Sequence, residues 1–320
     1  IPQISGSATN PKYTQQGFKT AFRVMANDVQ QGKILGEFAA KQGVKTVAIV
    51  DDRTAYGQGL ADEFRKAAEA AGMKVVANEY TNDKATDFKA ILTKIKSTKA
   101  DLVFFGGMDA QGGPMAKQMA ELGIKAKFLG GDGVCTPEFM KLGGPATEGH
   151  YCSLPGMPLE KLAKGPEFRE KFTKKFNAEI QLYSPYVYDA VMVMADAMKR
   201  ADSVDPAKYL PAVGQTKYDG VTALIQFDEV GDLKGGAISI YQYKGGKLDY
   251  VETLGGSPVE VAKAEVKEAV AEVKDAAKAV AGAATAAGTE AVKAGAEAVK
   301  SGAEAVKGAA DAAKAAVEKK

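Results

Sequence analysis

The chain has 320 residues and a formal net charge of +2, enough length for two domains and too little positive charge to mark a nucleic-acid binder. A Ser-His-Asp hydrolase or a zinc enzyme would have to use the one histidine, His150, around which no partner pattern stands, and the two cysteines, Cys135 and Cys152, are too few for a metal cluster and lack C-x-x-C spacing. No run of about twenty apolar residues suggests a membrane span.

Residues 1–11, IPQISGSATNP, read as a short strand followed by a loop of small residues. The hydroxyls of Ser5, Ser7 and Thr9, with the amides around them, suit an anion such as a carboxylate. An ordinary polar turn fits the same residues. Ile34 to Lys41 reads as a helix, and Val44 to Val50 as a buried strand. Residues 51–59, DDRTAYGQG, read as the loop at that strand's end. A helix over 60–71, a strand over 73–80 and a helix over 88–95 follow.

Leu102 to Phe105 is a continuous apolar run that stops at Gly106-Gly107, as expected of a strand covered on both faces. Met115, Met119 and Leu122 then share one helical face, and Gly123 closes the helix. Lys127 to Leu129 forms the next strand, ending in Gly130-Gly131 and Asp132. A strand–helix–strand unit implies parallel strands. Ligands of open parallel sheets sit beyond the carboxyl ends of the strands. Both glycine pairs and Asp132 stand there, so we expect a small-molecule site at this end. The alternation of strand and helix across 30–132 is the signature of a doubly wound α/β domain. Gly57-Gln58-Gly59 lacks the third glycine of a dinucleotide fingerprint, because position 62 is aspartate. His150 is expected to be a polar surface residue.

Phe168, Phe172 and Phe176 recur four residues apart in a helix over 166–176 and are expected to face a core. The segment 183–199 reads as a second helix, apolar enough to be well buried. Val221 to Phe227 and Ala237 to Tyr243 read as strands. Gly245-Gly246 makes a hairpin with 248–253. After Gly256 the composition shifts to Ala, Val, Lys and Glu, with a seven-residue repeat that begins at Thr289, Ala296 and Ala303. Ala, Glu and Lys favour helix. The apolar stripe is too thin for a stable coiled coil, so residues 257–320 are expected to be a marginal helical tail.

Six segments taken together carry a resemblance: ISGSATNP (4–11), VAIVDDRTAYGQGLA (47–61), DLVFFGGMDAQGGPM (101–115), FLGGDGV (128–134), LYSPYVYDAV (182–191) and FDEVGDLKGG (227–236). In that order they resemble the branched-chain amino acid (leucine/isoleucine/valine) binding proteins of ABC importers, over residues 1–256. The resemblance implies a type I periplasmic binding protein fold, α/β with two doubly wound lobes and the ligand between them. Residues 28–155 and 236–256 resemble one lobe. Residues 1–27 and 156–235 resemble part of the other, so the first lobe is expected to be incomplete. The tail, 257–320, has no counterpart.

The resemblance also implies roles. Ser7, Ala8 and Thr9 would bind the ligand carboxylate, Tyr56 would cover it, and Asp132 would face its ammonium group. Gly107 and Met108 would lie at the site; Met108 falls where leucine-type relatives often carry tyrosine. It implies an amino acid ligand, a membrane permease as partner, a periplasmic location with a signal segment not present in this chain, a monomer, no cofactor and no enzymatic activity. An amide or urea sensor on the same fold, or a surface-associating protein dominated by its tail, are the alternatives. From their spacing alone, Cys135 and Cys152 are either free and buried or paired. With Cys152 near the expected return crossover between lobes, we expect a disulfide.

Overall fold

The computed structural model describes residues 1–256; the expectations for the tail lie outside them. The chain runs β1 (Gln3–Ser5), β2 (Ala21–Arg23), α1 (Asp28–Lys41), β3 (Thr46–Asp51), α2 (Ala55–Ala70), β4 (Lys74–Tyr80), α3 (Lys89–Thr98), β5 (Leu102–Gly106), α4 (Asp109–Glu121), β6 (Lys127–Gly130), α5 (Pro137–Gly143) and β7 (Tyr151–Pro155). It continues through α6 (Gly165–Phe176), α7 (Ser184–Arg200), α8 (Pro206–Gly214), β8 (Tyr218–Asp219), β9 (Leu224–Ile225), β10 (Ala237–Lys244) and β11 (Lys247–Gly255).

Seven strands form one sheet in the order β4-β3-β5-β6-β7-β10-β11. From β4 to β7 all pairings are parallel, and the β10–β11 hairpin adds two antiparallel strands. Side chains alternate across the pleat. Val47, Ile49 and Phe104 therefore point to one face, where Leu35 and Phe38 of α1 and Leu60 and Phe64 of α2 cover them. Phe64 stacks on Phe104 with ring centroids 3.9 Å apart. Ala48, Val50, Val103 and Phe105 point to the other face, under Leu92, Met115, Met119 and Phe139 of α3, α4 and α5. Burial on both sides explains why these strands read as unbroken apolar runs.

Outside this sheet, β1 pairs in parallel with β2 and β8 pairs with β9. Phe22, Val24, Tyr186, Val193, Tyr209, Ile225 and Phe227 form a separate core there. Asp189, fully buried on α7, holds the 220–222 turn by accepting from the amides of Val221 and Thr222, both at 2.8 Å. Cys135 and Cys152 are joined, with Cα atoms 5.3 Å apart and 17 residues of separation. A loop of that size is worth ~3 kcal/mol in chain entropy.

Several expectations need correction. The first helix begins at Asp28 rather than Ile34, because Asn27 caps it by accepting from the amides of Val29 and Gln30. The second begins at Ala55, not Leu60. Thr54 caps it through the Gly57 amide, so Gly57 and Gly59 are helical rather than part of a loop. The phenylalanine stripe of α6 does not enter a core; Phe176 is 58% exposed, and the three rings pack on each other and on Tyr188. Helix α7 is buried on one side only, with Val187 and Val191 exposed. The strand expected over 221–227 is reduced to Leu224–Ile225 and a single bridge between Phe227 and Leu233. Helix α8, not expected from the sequence, starts at a proline after an aspartate cap. His150 is half-buried rather than a surface residue. Its Nδ1 accepts from the Phe128 amide at 3.3 Å.

Candidate functional site at the carboxyl ends of the strands

Strand β6 ends at Gly130, and Asp132 begins a short 3-10 turn just beyond it. Its side chain is 2% exposed, yet three neighbours satisfy it. Gln31 Nε2 of α1 and the Tyr56 hydroxyl of α2 donate to Oδ1 at 2.8 and 3.0 Å. The Tyr183 hydroxyl, at the start of α7, donates to Oδ2 at 2.8 Å. A carboxylate offers about four acceptor positions, so the three donors leave capacity for one more.

The donors are fixed in turn. Ser153 Oγ of β7 donates to Gln31 Oε1 at 2.8 Å, which directs the amide nitrogen of Gln31 at the carboxylates. The Tyr56 hydroxyl also accepts from the Gly133 amide at 2.9 Å. Burial, followed by the charges of Asp132 and Asp28, holds the Tyr56 hydroxyl well above its ordinary pKa. Burial and Asp132 do the same for Tyr183. Both phenols therefore keep their protons and remain donors. Gly133 is compact by necessity: a Cβ there would lie 2.5 Å from the Gly107 carbonyl, 2.8 Å from Met108 Sδ and 2.8 Å from the Tyr56 ring. Gly107, Met108, Tyr56 and the Asp132 turn thus meet at one point. Met108 is 48% exposed beside them.

The 5–10 loop is anchored by Arg23, which is fully buried. Arg23 Nη1 donates to the Ala8 carbonyl at 2.8 Å and Nη2 to the Asn10 carbonyl at 3.0 Å. Within the loop the amides of Ser7 and Ala8 both point at Ser5 Oγ, at 3.2 and 2.9 Å. Thr9 is 3% exposed; its carbonyl accepts from the Asp28 amide at 2.9 Å. Asp28 completes the link, since Gln31 Nε2 also donates to Asp28 Oδ1 at 3.1 Å. A path of contacts therefore runs Thr9–Asp28–Gln31–Asp132.

Sequence reasoning missed Asp28, Gln31, Ser153, Tyr183 and Arg23. Asp28 and Gln31 lie three residues apart on one helix face, a polar pair on an otherwise buried side; that pattern was hidden because the helix was expected to begin later. Tyr183 read as part of an apolar helix, and nothing local distinguishes its hydroxyl.

The chain's own similarities bear on this geometry. A family model described as "Periplasmic binding protein" matches residues 1–247. This chain belongs to that family. A Leu/Ile/Val-binding protein homolog from Brucella melitensis is 35% identical over 257 residues, covering 79% of this chain and 69% of its own length. The leucine binding protein LivK of Thermotoga maritima superposes with a TM-score of 0.75 at 28% identity, over 79% of this chain and 73% of its own. LivJ of Streptococcus pneumoniae, solved in complex with isoleucine, gives 0.71 at 27% identity, over 80% and 73%. The fold of this binding protein is accordingly that of the type I periplasmic binding proteins.

Proposed function

We propose that this binding protein captures an aliphatic, branched-chain amino acid and delivers it to the permease of an ABC importer, in the periplasm and without chemistry of its own. The observation that carries the reading is Asp132: a buried acid, reached by donors from α1, α2 and the start of α7, with acceptor capacity left over. A free amino acid brings an ammonium group that suits that position and a carboxylate that needs donors on the opposite wall. Ser7, Ala8 and Thr9 are our candidates for that wall. Because the Ser7 and Ala8 amides are engaged by Ser5 and the Thr9 side chain hydrogen-bonds Asp28, the hydroxyl of Ser7 is the stronger candidate within it. Tyr56 covers the ligand, and Gly107 and Met108 border its side chain.

The same reading divides the chain into two lobes, residues 28–155 with 236–256 and residues 1–27 with 156–235. The separate cores support it, as does the hydrogen bond from the Gly156 amide to the Ala237 carbonyl, which joins 156–235 to 236–256. The relatives named for leucine, isoleucine and valine support the ligand class. The paired cysteines fit an oxidising compartment. Among the described residues no helix is long and apolar enough to cross a membrane.

A calorimetric panel tests the ligand. Leucine, isoleucine and valine should give saturable heats, while acetamide and urea should give none. Binding of the amides alone would refute the reading.

A further inference from the structure

Two carboxylates, Asp28 and Asp132, are buried together and joined by a single side chain. Gln31 Nε2 donates to both, at 3.1 and 2.8 Å, and cannot turn away because Ser153 holds its carbonyl. Asp132 has three donors; Asp28 is fully buried and its Oδ2 has no hydrogen-bond partner among the described residues. The remaining charged and titratable groups facing Asp28 are Arg23 on β2, Tyr56 on α2 and Tyr183 at the start of α7. Arg23 is committed to Asp232 at 2.6 Å, and the two phenols point their protons at Asp132. Of that set only Arg23 opposes a second negative charge, and its effect is smaller than those of burial and Asp132.

We propose that Asp28 and Asp132 form a proton-linked pair: in the unliganded protein Asp28 carries a proton, and the arrival of a cationic ammonium group beside Asp132 expels it to solvent. Asp28 thereby acts as a positioning residue that keeps one net negative charge in the empty site and supplies a second when the cation enters. The step balances, since Asp28 loses one proton to the buffer as the site gains one positive charge from the ligand. Burial of Asp28, then the charge of Asp132, pushes its pKa up to about 7, against smaller opposing effects of Thr9, Gln31 and Arg23. That places the exchange in the range where a binding protein works. The inference rests on the amino acid reading above.

Leucine titrations in phosphate and in Tris at pH 7 test it, because the two buffers differ in ionisation heat. The heats should differ by an amount equal to about half a proton released per leucine, given half-protonated Asp28 at that pH. Affinity for leucine should be about thirtyfold tighter at pH 8 than at pH 5.5, and Asp28→Asn should reduce that ratio to below about twofold. The wild-type buffer comparison stands even if the variant folds poorly. Equal heats in both buffers, with a Kd flat between pH 5.5 and 8, would overturn the proton link while leaving the amino acid reading intact. A complete absence of leucine heat would instead refute the amino acid reading, and the proton link with it.

Discussion

Arg23 and Asp232 form an ion pair at 2.6 Å in which the arginine is wholly buried and the aspartate nearly so. Every other polar contact of the guanidinium goes to the 8–14 loop: the Ala8 and Asn10 carbonyls and Thr14 Oγ1. Asp232 is also held by Thr14 Oγ1 at 2.7 Å and Asn27 Nδ2 at 2.8 Å. One cation thus ties the candidate carboxylate-binding loop to the turn before β10 and to the cap of α1.

Removing one partner of such a buried pair leaves the other uncompensated and typically costs ~3–5 kcal/mol. Arg23→Met should lower stability by that order in urea unfolding and weaken leucine binding along with it. Adding Asp232→Leu should recover part of the stability, since the unpaired charge is then gone, but not the loop geometry or the affinity. If Arg23→Met unfolds at the wild-type urea midpoint, the pair is not what anchors the loop.

A second contact sets where Tyr56 stands. A Cβ on Gly57 would lie 2.2 Å from Asp52 Oδ1 and 2.4 Å from the Gly106 carbonyl, so the start of α2 packs directly on the end of β5. Overpacking of this kind costs ~1–3 kcal/mol. Gly57→Ala must push the start of α2 away and carry Tyr56 with it. The expected outcome is a modest loss in urea stability and a larger proportional loss in leucine affinity. Equal affinity for the variant and the parent would show that Tyr56 does not need this seat.

Acid should unfold the protein partly through His150. Burial, followed by the nearby Lys127 charge, holds its pKa down at about 4, below the ordinary value near 6.5. Between those values the unfolded chain takes up a proton that the folded chain refuses, so the His150 contribution is complete above about pH 6.5 and is lost as pH falls toward 4. Asp28 works in the opposite sense. Its folded pKa is raised, so its burial is least costly at low pH and most costly above 7. His150→Asn keeps an oxygen that can accept from the Phe128 amide but cannot titrate. Comparing urea midpoints at pH 7.5 and 5, the variant should lose less stability than the parent. The same loss in both would rule out His150 as a contributor.

The alternating strands, the glycine pairs at their ends and the place of Asp132 were legible in the sequence, because runs such as VAIV and LVFF have few other uses in a globular chain. Starts of helices were not. Asn27 and Thr54 act as caps ahead of polar or glycine-rich first turns, so α1 and α2 showed no apolar period until their second turn. The amphipathic α6 misled for a different reason: its aromatic rings cover one another rather than a core. The site's supporting residues were the least legible. Gln31, Ser153 and Tyr183 come from three elements far apart in sequence, and only the fold brings them to one carboxylate.

In the proposed function Asp132 receives the ammonium group of an amino acid. Asp132→Asn preserves size and much of the local hydrogen bonding while removing the charge. Losing a buried charged partner costs ~2–5 kcal/mol, which is a factor of about thirty to several thousand in affinity. Calorimetric titration of the Asp132→Asn protein with leucine is the most direct measurement. A loss of that size, with the melting temperature of the unliganded protein nearly unchanged, is the expected result; leucine affinity equal to that of the parent would contradict the account.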